Sequence, residues 1–260
     1  MGNGAFNYYH WLIELLPRLQ HLPEALARYP DLVILAPQSV AETPQLEELL
    51  RLLIPPGVEV LYVDRDEALT VENLLVPRHA SLSVFNKRAD HRYDSSDFYF
   101  DEQSVLWLRR RLQTLLGLGG ERTKAGRRLF LARHGGRRDY NQDEVLDYFM
   151  GYGFEPVYLE DLSLRDQAGA LAEAEAVAGP TGAAWSNLIF CSPGTQAFYW
   201  LPEEYGDFVA FDDLARANQV DLHKMVFPTG AVSTASLYQR AFVVPIERVK
   251  AAFDRDLQGL

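Results

Sequence analysis

RRLFLARHGGRRDYNQDEVLDYFMGYGFEPVYL, from Arg127 to Leu159, consists of a short apolar run, a helical pattern and a second apolar run. The pattern predicts a strand over Arg127 to Arg133, a helix over Gln142 to Met150 and a strand over Phe154 to Leu159. A strand, a helix and another strand in succession are typical of a parallel sheet covered by helices. The stretch therefore predicts an α/β fold with mostly parallel sheets.

The same alternation extends on both sides of this stretch. A polar segment from Phe85 to Asp97 interrupts it and resembles a linker. We therefore predict two Rossmann-like lobes, residues 1–98 and 99–260, with the first lobe shortened because its usual leading strand is missing. The other predicted strands are Asp31 to Ala36, Val58 to Val63, Asn73 to Pro77, Ala176 to Gly179, Gln196 to Pro202 and Phe242 to Pro245. The other predicted helices are Thr43 to Leu53, Leu164 to Glu175, Ala183 to Phe190 and Ile246 to Leu257.

Composition narrows the function classes. The chain has 260 residues, of which 48% are hydrophobic and 23% charged, so it can bury a sizeable core. Its formal net charge of -11 argues against nucleic-acid binding, which normally needs a basic excess. The stretch from Arg109 to Arg138, however, contains ten Lys or Arg residues and a single acidic residue, Glu121. Such a local basic cluster suits a small anion or an anionic surface.

Cysteine and histidine usage gives no sign of a metal or disulfide framework. Cys191 is the single cysteine, so an internal disulfide is impossible and a reducing compartment is the simplest expectation. The histidines lack metal-ligand spacing, and we predict no bound metal. No apolar run approaches ~20 residues and the first residues do not resemble a signal peptide. We expect a cytoplasmic protein.

NYYHWLIELLPRL, from Asn7 to Leu19, sets polar groups at helical spacing within an apolar run. His10, Glu14 and Arg18 are four residues apart and share one face of a helix, and Asn7 lies three residues before His10. One interpretation is a set of mutually satisfied side chains on a half-buried helix that is kinked at Pro17. The other is a carboxylate among aromatic rings that acts as a base.

GPTGAAWSNLIF, from Gly179 to Phe190, follows a predicted strand and begins a predicted helix. Open α/β sheets bind ligands at this position, and the first amide groups, near Gly182 and Ala183, would point at an anion. A tight turn also favours glycine without any ligand, so this alternative stays open. Arg133, Arg138 and Asn141 follow the end of another strand and belong to the same crevice.

These motifs together carry a family resemblance. NYYHWLIELLPRL, LFLARHGGRRDYNQDEV, Gly153-Phe154, Leu162-Ser163-Leu164 with Gln167, and GPTGAAWSNLIFCSPGT occur in the order seen in glycosyltransferase family 61. The resemblance implies a GT-B-like fold and an inverting transfer of sugar from a nucleotide-sugar donor to a hydroxyl of a glycan acceptor. It further implies surface-polysaccharide biosynthesis and no bound metal or other cofactor.

The resemblance also implies roles for individual residues. Glu14 or His10 would be the base, with Asn7 and Arg18 supporting the acceptor side. Eight residues would bind the donor: Arg133, Arg138, Asn141, Thr181, Gly182, Ala183, Asn187 and Tyr199. Two of them depart from the family pattern, because family members often have His at the position of Thr181 and Glu at the position of Tyr199.

Two other functions remain open at the sequence level. The substitutions at Thr181 and Tyr199 are compatible with a non-catalytic binding module or partner subunit that keeps the fold. A nucleotide-sugar epimerase would also use Rossmann-like lobes. Arg109 to Arg111, on a predicted helix, are most simply a solvated face, but they can also meet anionic lipid head groups and permit peripheral membrane association.

Overall fold

The structure is a computed structural model that describes residues 4–84, 92–118, 126–135, 139–231 and 241–260. The chain divides into two compact units. The first comprises residues 1–82 and 100–119, and the second comprises residues 83–99 and 120–260. Within the described ranges, every helix is too short or too polar to cross a lipid bilayer.

A parallel sheet forms the centre of the second unit. Its five strands in the described residues are β5 (Arg127–Leu131), β6 (Phe154–Val157), β7 (Ala174–Pro180), β8 (Gln196–Pro202) and β9 (Asp221–Phe227). They lie in the order β6-β5-β7-β8-β9, and every neighbouring pair is parallel. The prediction of a parallel α/β fold is confirmed. The strand order reverses between β5 and β7, and this position is the topological switch point of the sheet, where open α/β folds bind ligands.

Alternating side chains of β8 build a core on each face of the sheet. Phe198 and Trp200 join an aromatic cluster on one face, where Trp200 stacks on Phe149 with ring centroids 5.6 Å apart. Tyr199 points to the other face, where its ring makes an edge contact with Trp185 at 5.1 Å. Because both faces are buried, the strand is an almost continuous apolar run, which made it easy to predict.

Helices cover both faces of this sheet, and all but one of those described lie close to the predicted positions. The helix predicted over residues 183–190 is present, but it is a 3-10 helix, Ala183–Phe190. The others are α5 (Gln142–Met150), α6 (Leu164–Glu173), α7 (Ala210–Ala217) and α8 (Ile246–Leu257), with short 3-10 turns at Leu159–Asp161 and Glu203–Tyr205.

The last strand of the sheet was predicted in the wrong place. We predicted Phe242 to Pro245, but the fifth strand is β9, and Phe242 makes a single bridge to Tyr140. Asp221, His223 and Lys224 interrupt the apolar residues of β9, so its sequence lacks the apolar run that identifies the inner strands. Helix α7, which precedes β9, was not among the predicted helices.

In its described residues the first unit has a smaller parallel pair of strands, β1 (Ile34–Pro37) and β2 (Val60–Val63). Between them lie α2 (Gln38–Ala41) and α3 (Pro44–Leu53), and α1 (Leu22–Arg28) precedes β1. The strand predicted over residues 73–77 is wrong, because this segment has no regular structure and Val76 is 73% exposed. A run of four apolar residues, 74–77, does not by itself specify a strand partner.

The N-terminal segment is helical but not a single α-helix. His10–Leu15 is a π-helix, and Leu16–His21 is a 3-10 helix that leads into α1. The amide of Leu16 donates to the carbonyl of Trp11, five residues back. Pro17 has no amide hydrogen and cannot continue an α-helical ladder, which accounts for the change of helix type at this point.

Helix α4 (Glu102–Leu115) belongs to the first unit, although our boundary after residue 98 assigned it to the second lobe. It packs on the 3-10 helix of residues 16–21, and the amide of Gln20 donates to the hydroxyl of Ser104 over 2.7 Å. Two short strands, β3 (Leu82–Ser83) and β4 (Phe98–Tyr99), pair with each other, and a 3-10 turn, Ser95–Asp97, precedes β4. Most of the predicted linker, residues 85–91, lies outside the described residues.

Candidate functional site

Arg133 lies at the switch point of the five-stranded sheet. It follows β5, and its guanidinium donates across to the end of β7, to the carbonyl oxygens of Thr181 and, at 3.4 Å, Pro180. These contacts place a cationic group at the carboxyl ends of the two strands between which the strand order reverses. A guanidinium in such a position is suited to bind phosphate oxygens.

Gly182 has no side chain, and the guanidinium of Arg133 occupies the space that a side chain would fill. A Cβ atom at Gly182 would lie 2.5 Å from Nη2 of Arg133, far inside van der Waals contact. Gly182 has an extended backbone with a φ of 160°, so its conformation does not itself require glycine. The glycine is needed because it allows the guanidinium to approach the start of the 3-10 helix.

Gln142, at the start of α5, holds the main chain of Arg133. Its Oε1 accepts from the amide of Arg133 over 2.8 Å, and its Nε2 donates to the Arg133 carbonyl over 3.0 Å. This reciprocal pair imitates the pairing of two strands and fixes the direction of the Arg133 side chain. We did not predict this role of Gln142 from the sequence. Gln142 lies nine residues after Arg133 across a loop, so no helical or strand periodicity indicates that the two residues meet.

A surface cavity of about 580 Å³ adjoins Arg133, lined by residues 133–135 and 139–144. His134 forms part of its wall, and its ring stacks on Tyr158 with centroids 4.3 Å apart. Nε2 of His134 lies 2.8 Å from a carboxylate oxygen of Asp161. The sequence analysis gave His134 no role, since it shows no metal-ligand spacing.

His10 and Glu14 form a buried pair in the first unit. Nδ1 of His10 lies 2.8 Å from Oε2 of Glu14, and the Glu14 side chain is 7% exposed. An ionised carboxylate can only accept, so Nδ1 carries the hydrogen when Glu14 is charged. The other oxygen, Oε1, is buried and has no hydrogen-bond partner in the described part of the chain. A carboxylate held on one side and unpaired on the other is suited to receive a proton from a ligand hydroxyl.

The chain also matches a known protein family. The sequence model of the family described as Glycosyltransferase 61 matches residues 8–198, about three quarters of the chain. The chain belongs to glycosyltransferase family 61. No curated protein matches it. The matched region includes His10, Glu14, Arg133 and Thr181, and it ends one residue before Tyr199.

In this family 61 protein Tyr199 does not reach the surface. Its side chain is 0% exposed, and its hydroxyl lies 2.8 Å from Oγ1 of Thr181. We expected Tyr199 to contact the donor, and the structure instead places it beneath Thr181. Thr181 is buried as well, while Gly182 and Ala183 are partly exposed.

The two asparagines of the predicted donor site make intramolecular contacts. Asn141 uses its Oδ1 and Nδ2 to bind both the amide and the carbonyl of Val244, at 2.7 and 3.1 Å. Asn187 is buried, and its Nδ2 donates to the carbonyl of Ala184 within the same 3-10 helix. A donor contact by either residue stays a prediction. Arg138, the second predicted guanidinium, lies outside the described residues.

Arg18 and Asn7 support the helix that carries the buried pair. Nε of Arg18 donates to the main-chain carbonyl of Glu14 over 3.0 Å, and Nη2 lies 2.8 Å from Nδ1 of His79. Burial lowers the pKa of Arg18, and the negative charge of Glu14 opposes this effect. Oδ1 of Asn7 accepts from the amide of Tyr9 over 2.9 Å, as in a helix N-cap. Arg18 thus contacts the backbone of Glu14 and not its carboxylate.

The described residues of the glycosyltransferase contain no group of three or more His, Cys, Asp or Glu side chains arranged to hold a metal ion. The cavity beside Arg133 is lined by the Arg133 guanidinium, the ring of His134 and three carboxylates, Asp139, Asp143 and Glu144. Among these groups, the guanidinium of Arg133 also contacts the end of β7, and it is the one suited to bind an anionic ligand.

We expect His134 to titrate above the ordinary histidine range. Its hydrogen bond to Asp161 raises its pKa, and the small loss of hydration opposes this shift. The ion pair between protonated His134 and Asp161 therefore stabilises the folded protein fully at a pH below the ordinary histidine pKa of about 6.5. This contribution is lost as the pH rises through the raised pKa of His134. NMR titration of the ring protons should give a higher midpoint for His134 in the protein than in a peptide covering residues 131–135.

The matched variant is Asp161→Asn, which keeps the shape of the partner and removes its charge. Its His134 midpoint should fall below that of the unmodified protein. Equal midpoints in the two proteins would show that Asp161 does not control this histidine.

Proposed function

We propose that this protein is an inverting glycosyltransferase that moves a sugar from a nucleotide-sugar donor to a hydroxyl of a glycan acceptor. The observation that carries the proposal is the position of Arg133 at the switch point, against the Thr181-Gly182 turn. Membership of family 61 supports the general reaction. The nucleotide-sugar donor and the inversion are what the resemblance to this family implies, and the residues described above suit that chemistry.

The second unit would bind the diphosphate of the donor. As the bond between the anomeric carbon and the phosphate oxygen breaks, its electron pair leaves with the nucleoside diphosphate and adds negative charge there. Arg133 and the first amides of the 3-10 helix, near Gly182 and Ala183, supply fixed positive groups for that charge. We therefore propose that transfer needs no metal or other cofactor.

The first unit would supply the base. In an inverting displacement the acceptor oxygen attacks the anomeric carbon from the side opposite the leaving diphosphate, and its proton must be removed. Oε1 of Glu14 would accept that proton, while His10 holds Oε2 and fixes the carboxylate. Arg18 would act by holding the backbone of Glu14.

A role in surface-polysaccharide biosynthesis, at the cytoplasmic face of a membrane, completes the proposal. Helix α4 exposes Arg110 and Arg111, which suits weak attraction to anionic lipid head groups.

Ligand binding tests the proposal directly. The purified chain would be heated in the presence of UDP, GDP, CDP, ADP or dTDP and, separately, of the matching nucleosides. A ligand at ~100 times its dissociation constant adds ~2.7 kcal/mol to the free energy of unfolding. We expect one diphosphate to raise the melting temperature by several degrees and its nucleoside to raise it less.

Turnover then separates the three candidate functions. Release of the nucleoside diphosphate from its sugar conjugate, dependent on a glycan acceptor and with inversion at the anomeric carbon, is the expected result. An isomerised sugar nucleotide formed without acceptor would indicate an epimerase. Binding without turnover across a panel of acceptors would indicate a binding module, and no binding of any nucleotide would contradict the donor site.

A further inference from the structure

The phenol of Tyr199 lies beneath the predicted anion site. Its ring packs between Trp185 and Phe211, with centroid distances of 5.1 and 5.7 Å, and it has no exposed surface. Its hydroxyl is 2.8 Å from Oγ1 of Thr181. Tyr199 therefore cannot touch a ligand in this structure, but it contacts a residue beside the exposed turn.

The direction of the hydrogen bond between Tyr199 and Thr181 follows from the acceptors available to the phenol hydrogen. Burial raises the pKa of Tyr199 well above its ordinary value, so the phenol keeps its hydrogen at neutral pH. A buried hydroxyl hydrogen without an acceptor is costly, and Oγ1 of Thr181 is the acceptor that the described residues provide. The phenol of Tyr199 is thus the donor and Oγ1 of Thr181 the acceptor.

The other polar groups of Thr181 are already paired. Its amide donates to the carbonyl of Trp200 over 2.8 Å, and its carbonyl accepts from Arg133. Its hydroxyl oxygen accepts from Tyr199, and its hydroxyl hydrogen has no acceptor among the described residues. This leaves a directed donor beside Gly182 and the guanidinium of Arg133.

We propose that Tyr199 is a positioning residue that fixes the hydroxyl of Thr181 as a hydrogen-bond donor to an oxygen of the donor diphosphate. The inference rests on the proposed function, because it takes the ligand at the switch point to be a nucleoside diphosphate. A hydroxyl that accepts one hydrogen bond becomes a better donor in the next. Tyr199 thus favours a ligand atom that can only accept, such as a phosphate oxygen.

A double-mutant cycle tests this. Tyr199→Phe removes the phenol hydroxyl, and Thr181→Val removes the threonine hydroxyl at similar volume. Calorimetry would measure the affinity of each variant for UDP, GDP, CDP, ADP and dTDP and for the matching nucleosides. We expect each single change to weaken binding of the preferred diphosphate ~5-fold and to leave the nucleoside affinity unchanged.

The double variant carries the decisive result. Its diphosphate affinity should equal that of Thr181→Val alone, since Tyr199 acts through the threonine hydroxyl. Thr181→Ser keeps that hydroxyl and should retain most of the affinity. Tyr152→Phe, which removes a phenol hydrogen bond to Asp254 elsewhere in the unit, should leave binding unchanged.

Two results would overturn the inference. One is full diphosphate affinity in Tyr199→Phe, and the other is a double variant in which the two losses simply multiply. Circular dichroism would check that each variant is folded, and the comparison of Thr181→Val with Thr181→Ser tests the donor hydroxyl even where Tyr199→Phe does not fold. Failure of the unmodified protein to bind any of the five diphosphates would overturn the proposed function and this inference with it.

Discussion

Replacing Glu14 with glutamine should slow sugar transfer about 10³-fold while leaving donor affinity within twofold of the unmodified protein. Glutamine keeps the size of the side chain, and its carbonyl oxygen can still accept from Nδ1 of His10. Its amide cannot take a proton from the acceptor hydroxyl. Steady-state transfer rates at saturating donor would measure the loss, and calorimetry would measure donor affinity.

The control for this variant is Glu24→Gln, because Glu24 is an exposed carboxylate in α1 of the same unit. It should transfer sugar at the normal rate. We also expect Glu14→Gln to lower the free energy of unfolding by ~1 kcal/mol, since the charge-assisted hydrogen bond from Nδ1 of His10 becomes a neutral one. A variant that is folded and still transfers sugar within threefold of the normal rate would show that the base is another residue.

Replacing Arg133 with alanine should weaken binding of the nucleoside diphosphate ~100-fold without changing the affinity for the nucleoside. The guanidinium is the cation that the structure places at the switch point, and it also donates to the carbonyls of Pro180 and Thr181. Arg133→Lys keeps a charge but loses the planar fork, so we expect a loss of ~10-fold. Titration calorimetry with the diphosphate and its nucleoside measures both effects.

One arginine variant and one pair of glycine variants control this experiment. Arg216→Ala removes an exposed arginine of α7 that pairs with Asp213, and it should bind the diphosphate normally. Gly182→Ala should reproduce part of the Arg133 effect, because the added Cβ atom displaces the guanidinium, whereas Gly169→Ala in α6 adds a Cβ atom to open space. Normal diphosphate affinity in Arg133→Ala would place the anion site elsewhere.

The sequence predicted four of the five described strands of the large sheet and missed the edge strand β9. β5, β7 and β8 are apolar runs because helices cover both of their faces, and such runs are visible in one sequence. β9 is half exposed, and it pairs with β8 from outside the region where we placed the last strand. Conversely, residues 73–77 have the composition of a strand, but the described structure gives them no partner.

The contacts of the candidate site were also predictable from the sequence only in part. The pair of His10 and Glu14 was predictable, because a separation of four residues places both side chains on one face of a helix even where the helix is of the π type. The contacts of Gln142 with Arg133 and of Tyr199 with Thr181 were not. They join residues nine and eighteen positions apart, through a loop and through adjacent strands.

The sequence by itself determined the α/β class, the family and the helical stripe that carries Glu14, since these depend on local periodicity and on motifs in fixed order. The tertiary structure decided which groups meet at the switch point. It brought the ends of β5 and β7 together, left room for Arg133 at Gly182, and buried Tyr199 beneath Thr181. The physical reason is that strand order and side-chain burial are set by packing between distant segments, which the local sequence does not encode.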